Sequence, residues 1–273
     1  MLECVVNISE GRDIAFLAGL AELLSGDLLD VHTDSDHNRS VFTLVGTQAA
    51  RTLTRECVAR LALPAHEGVH PRIGVVDVVP FVPLAGSTMA DAVAARDAFA
   101  DWAATELSVP VFLYGAERTL PDIRRGAWRG LEPDRGPRSP HPTAGAVCAG
   151  ARDVLVAYNV WLRDTDLATT RAIAAEVRSP FVRTLGLQVG QMTQVSMNLI
   201  APSLAGPMHA YDAVLEHARA AGVSVAHAEL VGLVPNDVLA AVPEGRWEEL
   251  DLSPGRTIEA RLALRGRGGT VSR

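Results

Sequence analysis

The hydrophobic pattern along the chain changes period repeatedly. Alternating or unbroken apolar runs predict strands over residues 2–8, 28–31, 40–46, 75–82 and 109–114. Between them, apolar positions recurring every three or four residues predict helices over 13–24, 48–63 and 90–107. The order is β-α-β-β-α-β with an added helix and strand, the order of a ferredoxin-like unit. Residues 121–142 break the pattern with prolines, glycines and arginines, which predicts a loop or linker separating two halves. Beyond it, strands over 154–162, 182–189, 192–200 and 223–231 and helices over 165–177 and 207–221 repeat the same order, with a short helix over 236–242. The expected architecture is α+β, two ferredoxin-like (βαββαβ) subdomains covering 1–153 and 154–273 with a ligand cleft between them. The glycine-rich, charged end from Arg265 to Arg273 is expected to be disordered.

Composition narrows the partners. The chain has 273 residues, 48% of them hydrophobic, enough for one large core or two modest ones. A formal net charge of −7 disfavours nucleic acid or an anionic membrane as the main partner and favours a small ligand. There is neither a membrane-length apolar run nor a secretory signal pattern, so a cytoplasmic protein is expected. Cys4, Cys57 and Cys148 are too scattered for a disulfide framework or a metal knuckle and read as reduced thiols.

Chemistry concentrates just before the strand over 75–82, in His66, Glu67, His70 and Arg72. Read literally, His66 to His70 spells H-E-x-x-H, in which two histidines one helical turn apart hold zinc and the glutamate activates water. That chemistry needs a helix, and Gly68 within the motif and Pro71 after it both oppose one. The turn Asp34-Ser35-Asp36-His37-Asn38 imitates a calcium loop, but Arg39 stands where its glycine belongs and Val45 where its last ligand belongs. Residues 145–150 lack the Lys-Ser/Thr of a phosphate-binding loop.

The stretch HEGVHPRIGVVDVVPFVPL resembles the signature segment of the glutamate formimidoyltransferase family, folate-dependent enzymes of histidine degradation and one-carbon metabolism. ECVVNISEG, NRSVFT and ELVGLVP resemble further family blocks in the same order. The resemblance implies two ferredoxin-like subdomains, a homodimer and no metal. It assigns the catalytic histidine to His70 and the folate-binding loop to Gly136, Pro137, Arg138, Ser139, Pro140, His141, Pro142, Thr143, Ala144 and Gly145, both in the first subdomain. Relatives often carry an aromatic where Ala144 stands, and an aspartate where His32 stands. The implied reaction transfers the formimino group of N-formimino-L-glutamate to N5 of tetrahydrofolate. A separate cyclodeaminase is then expected to act on the product, since only about 38 residues follow the ELVGLVP block.

Asn38 and Arg39 are expected to face the same cleft as His70, Arg39 gripping a carboxylate with two prongs, and Arg72 to orient one from the His70 loop. Gln194, Ser196 and Asn198 share one face of a strand and make Gln194 and Asn198 further substrate-binding candidates. Proton transfer in this reaction suits one histidine with a pKa near 7. The alternatives are transfer from another formimino-amino acid such as formiminoglycine, a non-catalytic folate-binding protein, and a zinc hydrolase using His66, Glu67 and His70.

Overall fold

The computed structural model describes residues 1–268, which divide into two compact units, 1–153 and 154 onward. In the first, the elements β1 (Leu2–Ile8), α1 (Ile14–Leu23), β2 (Leu28–Asp34), β3 (Arg39–Val45), α2 (Thr47–Arg60) and β4 (Val76–Pro83) follow the expected order. Then come α3 (Met89–Glu106), β5 (Val111–Tyr114), α4 (Leu120–Gly126) and β6 (Val147–Ala151). The sheet order is β2-β3-β1-β4-β6-β5. Its first four strands give the ferredoxin-like arrangement, with the central β1 antiparallel to both β3 and β4.

One face of this sheet is covered because the apolar stripes of three helices fit it. Phe16, Leu17 and Leu20 of α1, Leu53 and Cys57 of α2, and Phe99, Ala100 and Ala103 of α3 pack with Val6, Ile8, Phe42, Leu44, Val79 and Phe81 of the strands. A second, smaller core lies under α4, where Ile123 and Ala127 meet Val78, Phe112, Tyr114 and Cys148. The cysteines are free and buried, and burial pushes all three thiols up, so they are unreactive packing residues.

Residues 121–142 do not link the halves. The chain forms α4, started by a Thr119 and Asp122 capping box, and returns to the sheet as β6, which pairs in parallel with both β4 and β5. Arg118 and Asp134 pair across the intervening loop, and Arg135 bridges back to Val111. The glycine run over 145–150 is therefore largely an interior strand. Its small residues are required by a neighbour: a Cβ on Gly150 would lie 2.1 Å from the Tyr114 ring.

The second unit contains β7 (Val156–Arg163), α5 (Leu167–Val177), β8 (Val182–Val189), β9 (Met192–Leu199), α6 (Pro207–Ala220), β10 (Ser224–Val231), α7 (Asn236–Ala240) and α8 (Ile258–Gly268). Its antiparallel sheet has the order β10-β7-β9-β8. Numbered within each unit, both sheets share the order 4-1-3-2, which is the structural duplication that element order suggests. Ile173, Val177, Tyr211 and Val214 of the helices cover Tyr158, Val160, Val195 and Met197. The expected disorder from Arg265 is corrected in part: α8 continues to Gly268, and residues 269–273 lie outside the described residues. No helix among the described residues is long and apolar enough to cross a membrane.

Candidate active site

Asp77, at the start of β4, has a fully buried carboxylate. Its Oδ1 accepts from the Ile73 backbone N–H at 2.9 Å, and its Oδ2 accepts from Arg39 Nη1 at 2.9 Å and Arg124 Nη2 at 2.7 Å. Burial alone would push this carboxyl up, but Arg39 and then Arg124 outweigh it and hold the group below the usual carboxylate range. Two guanidinium charges face one carboxylate, leaving a local excess of one positive charge.

His70 sits against that excess. Its Nδ1 lies 2.9 Å from the Pro71 carbonyl and 3.4 Å from Arg39 Nη1. A ring nitrogen cannot donate to the carbonyl and accept from the arginine at once, and the shorter contact makes it Nδ1–H donating to Pro71. Nε2 then carries the lone pair and has no protein partner among the described residues. Burial, followed by the Arg39 charge, lowers the His70 pKa to about 3. The expected value near 7 is thus corrected. The pattern shows the histidine but not the cations that fold against it.

The loop carrying His70 is tied down by residues expected to touch substrate. Asn38, in the left-handed region at φ 47°, accepts from the Gly11 N–H at 2.9 Å and donates to the Glu67 carbonyl at 2.9 Å. Arg72 donates from Nε to the His70 carbonyl, from Nη2 to the carbonyls of His37 and His70, and from Nη1 to Asn38 and the His66 ring. All five N–H groups are engaged, so Arg72 clamps the loop rather than presenting a fork to a carboxylate. Arg39 is likewise committed, with Nε and Nη2 on Asn7 Oδ1 at 3.1 and 2.9 Å and Nη1 on Asp77. The structure thus brings Asn38, Arg39, Arg72 and His70 together, with the first three as supports.

The zinc alternative loses its geometry. Residues 66–72 follow a short 3₁₀ turn (Leu63–Ala65) and are not helical, and the His66 ring meets Asn38 O and Arg72. Among the described residues no three histidine, cysteine or acidic side chains converge as a metal site.

The loop over 136–145 joins both ends of the His70 segment. Leu63 N–H donates to Thr143 O, Val75 N–H to Ala144 O, and Ala146 N–H to Ile73 O. Gly74 and Gly145 form a bridge so close that a Cβ on Gly74 would lie 1.9 Å from Ala146 O. Gly136, Pro137, Arg138, Ser139, Pro140, Pro142 and Thr143 are exposed, and His141 folds back to accept from Ala144 N–H. Ala144 points into the core, so the position that suggests a stacking aromatic does not face solvent here. In the second unit, Gln194 is buried and donates to Glu229 at 3.4 Å, which also holds Asn159 and Trp161, whereas Asn198 is exposed. Sequence reading did not single out Asp77 or Arg124. The first stands inside the signature segment, and the second follows the Thr119-x-x-Asp122 cap that marks α4.

The profile of the formiminotransferase domain's N-terminal subdomain matches residues 1–152, and that of the formiminotransferase domain matches residues 157–245. The chain is 34% identical to the glutamate formimidoyltransferase of Streptococcus pyogenes serotype M1, over 89% of this chain and 92% of that protein. It is 32% identical to the glutamate formimidoyltransferase of Thermoplasma acidophilum, over 96% of this chain and 97% of that protein. Similarity extends to the formimidoyltransferase-cyclodeaminase of Gallus gallus, 35% identical over 89% of this chain but 52% of that larger protein.

Proposed function

The chain belongs to the formiminotransferase family, and from that premise we propose that it is a glutamate formimidoyltransferase, moving the formimino group from N-formimino-L-glutamate to N5 of tetrahydrofolate. The observation that carries the catalytic assignment is a single imidazole held neutral, with Nδ1 bonded to a carbonyl and the Nε2 lone pair left without a protein partner among the described residues.

The chemistry asks little more of the protein. The formamidine carbon is electrophilic when its nitrogens are protonated, and N5 of the folate attacks it to give a tetrahedral intermediate. One proton must leave the attacking nitrogen and one must reach the departing glutamate nitrogen. His70 Nε2 performs both transfers in turn, a contribution of about 10² to 10⁴ in rate. A base whose pKa is far below the working pH is weak. The glutamate carboxylates, drawn to the excess positive charge of Arg39 and Arg124, offset the charge that depresses His70 and raise its basicity in the complex. Holding two large substrates in attack geometry supplies much of the rest.

In this reading the loop over 136–145, exposed from Gly136 to Pro140 and at Pro142 and Thr143, carries tetrahydrofolate, a role supported by its backbone ties to both flanks of the His70 segment. Homodimeric assembly, a cytoplasmic setting and a downstream cyclodeaminase complete it. The test incubates the purified protein with tetrahydrofolate and, separately, N-formimino-L-glutamate and formiminoglycine, following release of the free amino acid. Turnover is expected with the glutamate derivative and is expected to vanish in His70→Ala, with folate affinity within a few-fold of wild type. Full activity in that variant refutes the assignment to His70, and a preference for formiminoglycine refutes the assignment of the donor. Folate binding without turnover of either donor points to the non-catalytic alternative.

A further inference from the structure

The Pro71 carbonyl receives two donors: His70 Nδ1 at 2.9 Å and Arg124 Nη1 at 2.6 Å. The other prong of Arg124 is on Asp77 Oδ2, and the other oxygen of Asp77 holds the Ile73 N–H. These contacts close a ring through His70, Pro71, Arg124, Asp77 and Ile73. Arg124 reaches it from α4, which is anchored by its capping box and by Ile123 in the core beneath.

A competing partner stands beside the ring. Arg39 Nη1 is 3.4 Å from the same Nδ1 and, being only a donor, would require that nitrogen unprotonated. The imidazole thus has two possible states, set by which neighbour Nδ1 faces. With Nδ1–H on Pro71, the basic nitrogen is Nε2. With Nδ1 accepting from Arg39, the proton moves to Nε2 and the lone pair is consumed by a guanidinium.

We propose that Arg124 is the positioning residue that selects the productive tautomer of His70, by fixing the Pro71 carbonyl as the acceptor of Nδ1–H. The choice depends on a planar fork, because one guanidinium must reach a carbonyl and a carboxylate together. A shorter or single-headed donor reaches one of them. Without the fork, the Pro71 carbonyl loses its fixed orientation and Arg39 captures Nδ1. The remaining groups around the ring, His37 at a centroid distance of 6.2 Å and the His66–Arg72 pair on the same loop, offer Nδ1 no contact. The consequence rests on the transferase reading, but the tautomer does not.

The experiment compares wild type, Arg124→Met and Arg124→Lys at pH 7.5, using ¹⁵N-histidine NMR for the tautomer and steady-state kinetics for turnover. Wild type is expected to show Nδ1–H at His70. Arg124→Met is expected to show Nε2–H and a kcat lower by about 10² to 10⁴, with KM within a few-fold, since a histidine held in the wrong tautomer loses catalysis while geometry persists. Arg124→Lys is expected to give a mixture of tautomers and an intermediate kcat, and it carries the test if the methionine variant does not fold. A wild-type Nε2–H tautomer overturns the proposal. So does an unchanged tautomer in both variants, whatever happens to kcat. A tautomer switch in a protein inactive towards both donors supports the positioning role while refuting the proposed reaction.

Discussion

Replacing Asp77 by alanine removes the one negative charge between Arg39 and Arg124 and the acceptor of the Ile73 N–H. Removing one partner of a buried ion pair destabilises by about 3–5 kcal/mol, and an orphaned buried donor adds about 1–3 kcal/mol. The arginine side chains retain 12% and 20% of their exposure, so water relieves part of this. We expect about 4 kcal/mol for Asp77→Ala, a large share of a typical domain's 5–15 kcal/mol. Asp77→Asn keeps an oxygen for Ile73 and the shape of the side chain but not the charge, so about 2 kcal/mol is expected. Urea denaturation of the three proteins at pH 7 measures both values. If both variants lie within about 1 kcal/mol of wild type, the carboxylate is not the electrostatic centre described here. The contribution is fully present above the ordinary carboxylate value of 3.8 and is lost only as pH falls through the lower folded value, so it should be constant from pH 5 to 8.

Two further outcomes follow from the same loop. His70 titrates near 3 in the folded protein against an ordinary 6.5, so between those values the unfolded chain binds a proton that the folded chain does not. Stability should therefore fall on acidification from pH 6.5, by at most about 1.4 kcal/mol per pH unit and less because the ring keeps some exposure. His70→Gln should flatten that slope between pH 6.5 and 5 in urea titrations, and an unaltered slope contradicts the assignment. Arg72→Lys replaces five fixed donors with three mobile ones, so amide exchange over 66–72 should accelerate at least tenfold and kcat should drop. A variant that alters only KM would restore Arg72 as a carboxylate ligand.

The strands and helices with strong periodicity are legible in the sequence because their side chains alternate or recur against one core, as in β1 and α6. Three elements escape that reading: α4, β6 and α8. α4 is seven residues long with only Ile123 buried, too short to show a period, although Thr119, Pro121 and Asp122 mark its start. β6 reads Val-Cys-Ala-Gly-Ala, small residues with little strand preference, chosen by the space the Tyr114 ring leaves. His70 is legible as a motif residue, but its electrostatics are not. Asp77 and Arg124 are 47 positions apart in the chain, and their pairing exists only once α4 docks.

The placement of β6 also has a temporal side. It is the last strand of its unit to leave the ribosome, yet it lies between β4 and β5, and β5 has no other neighbour in the sheet. A nascent chain ending before Val147 can assemble the four-stranded half of the sheet, but it holds β5 without a neighbouring strand, tied only to the loop at Asp134 and Arg135. Insertion of β6 is thus a late, non-local step, of the kind that slows folding and leaves strand edges open to misassembly. The small side chains of β6 suit a strand that must enter a slot already walled on both sides.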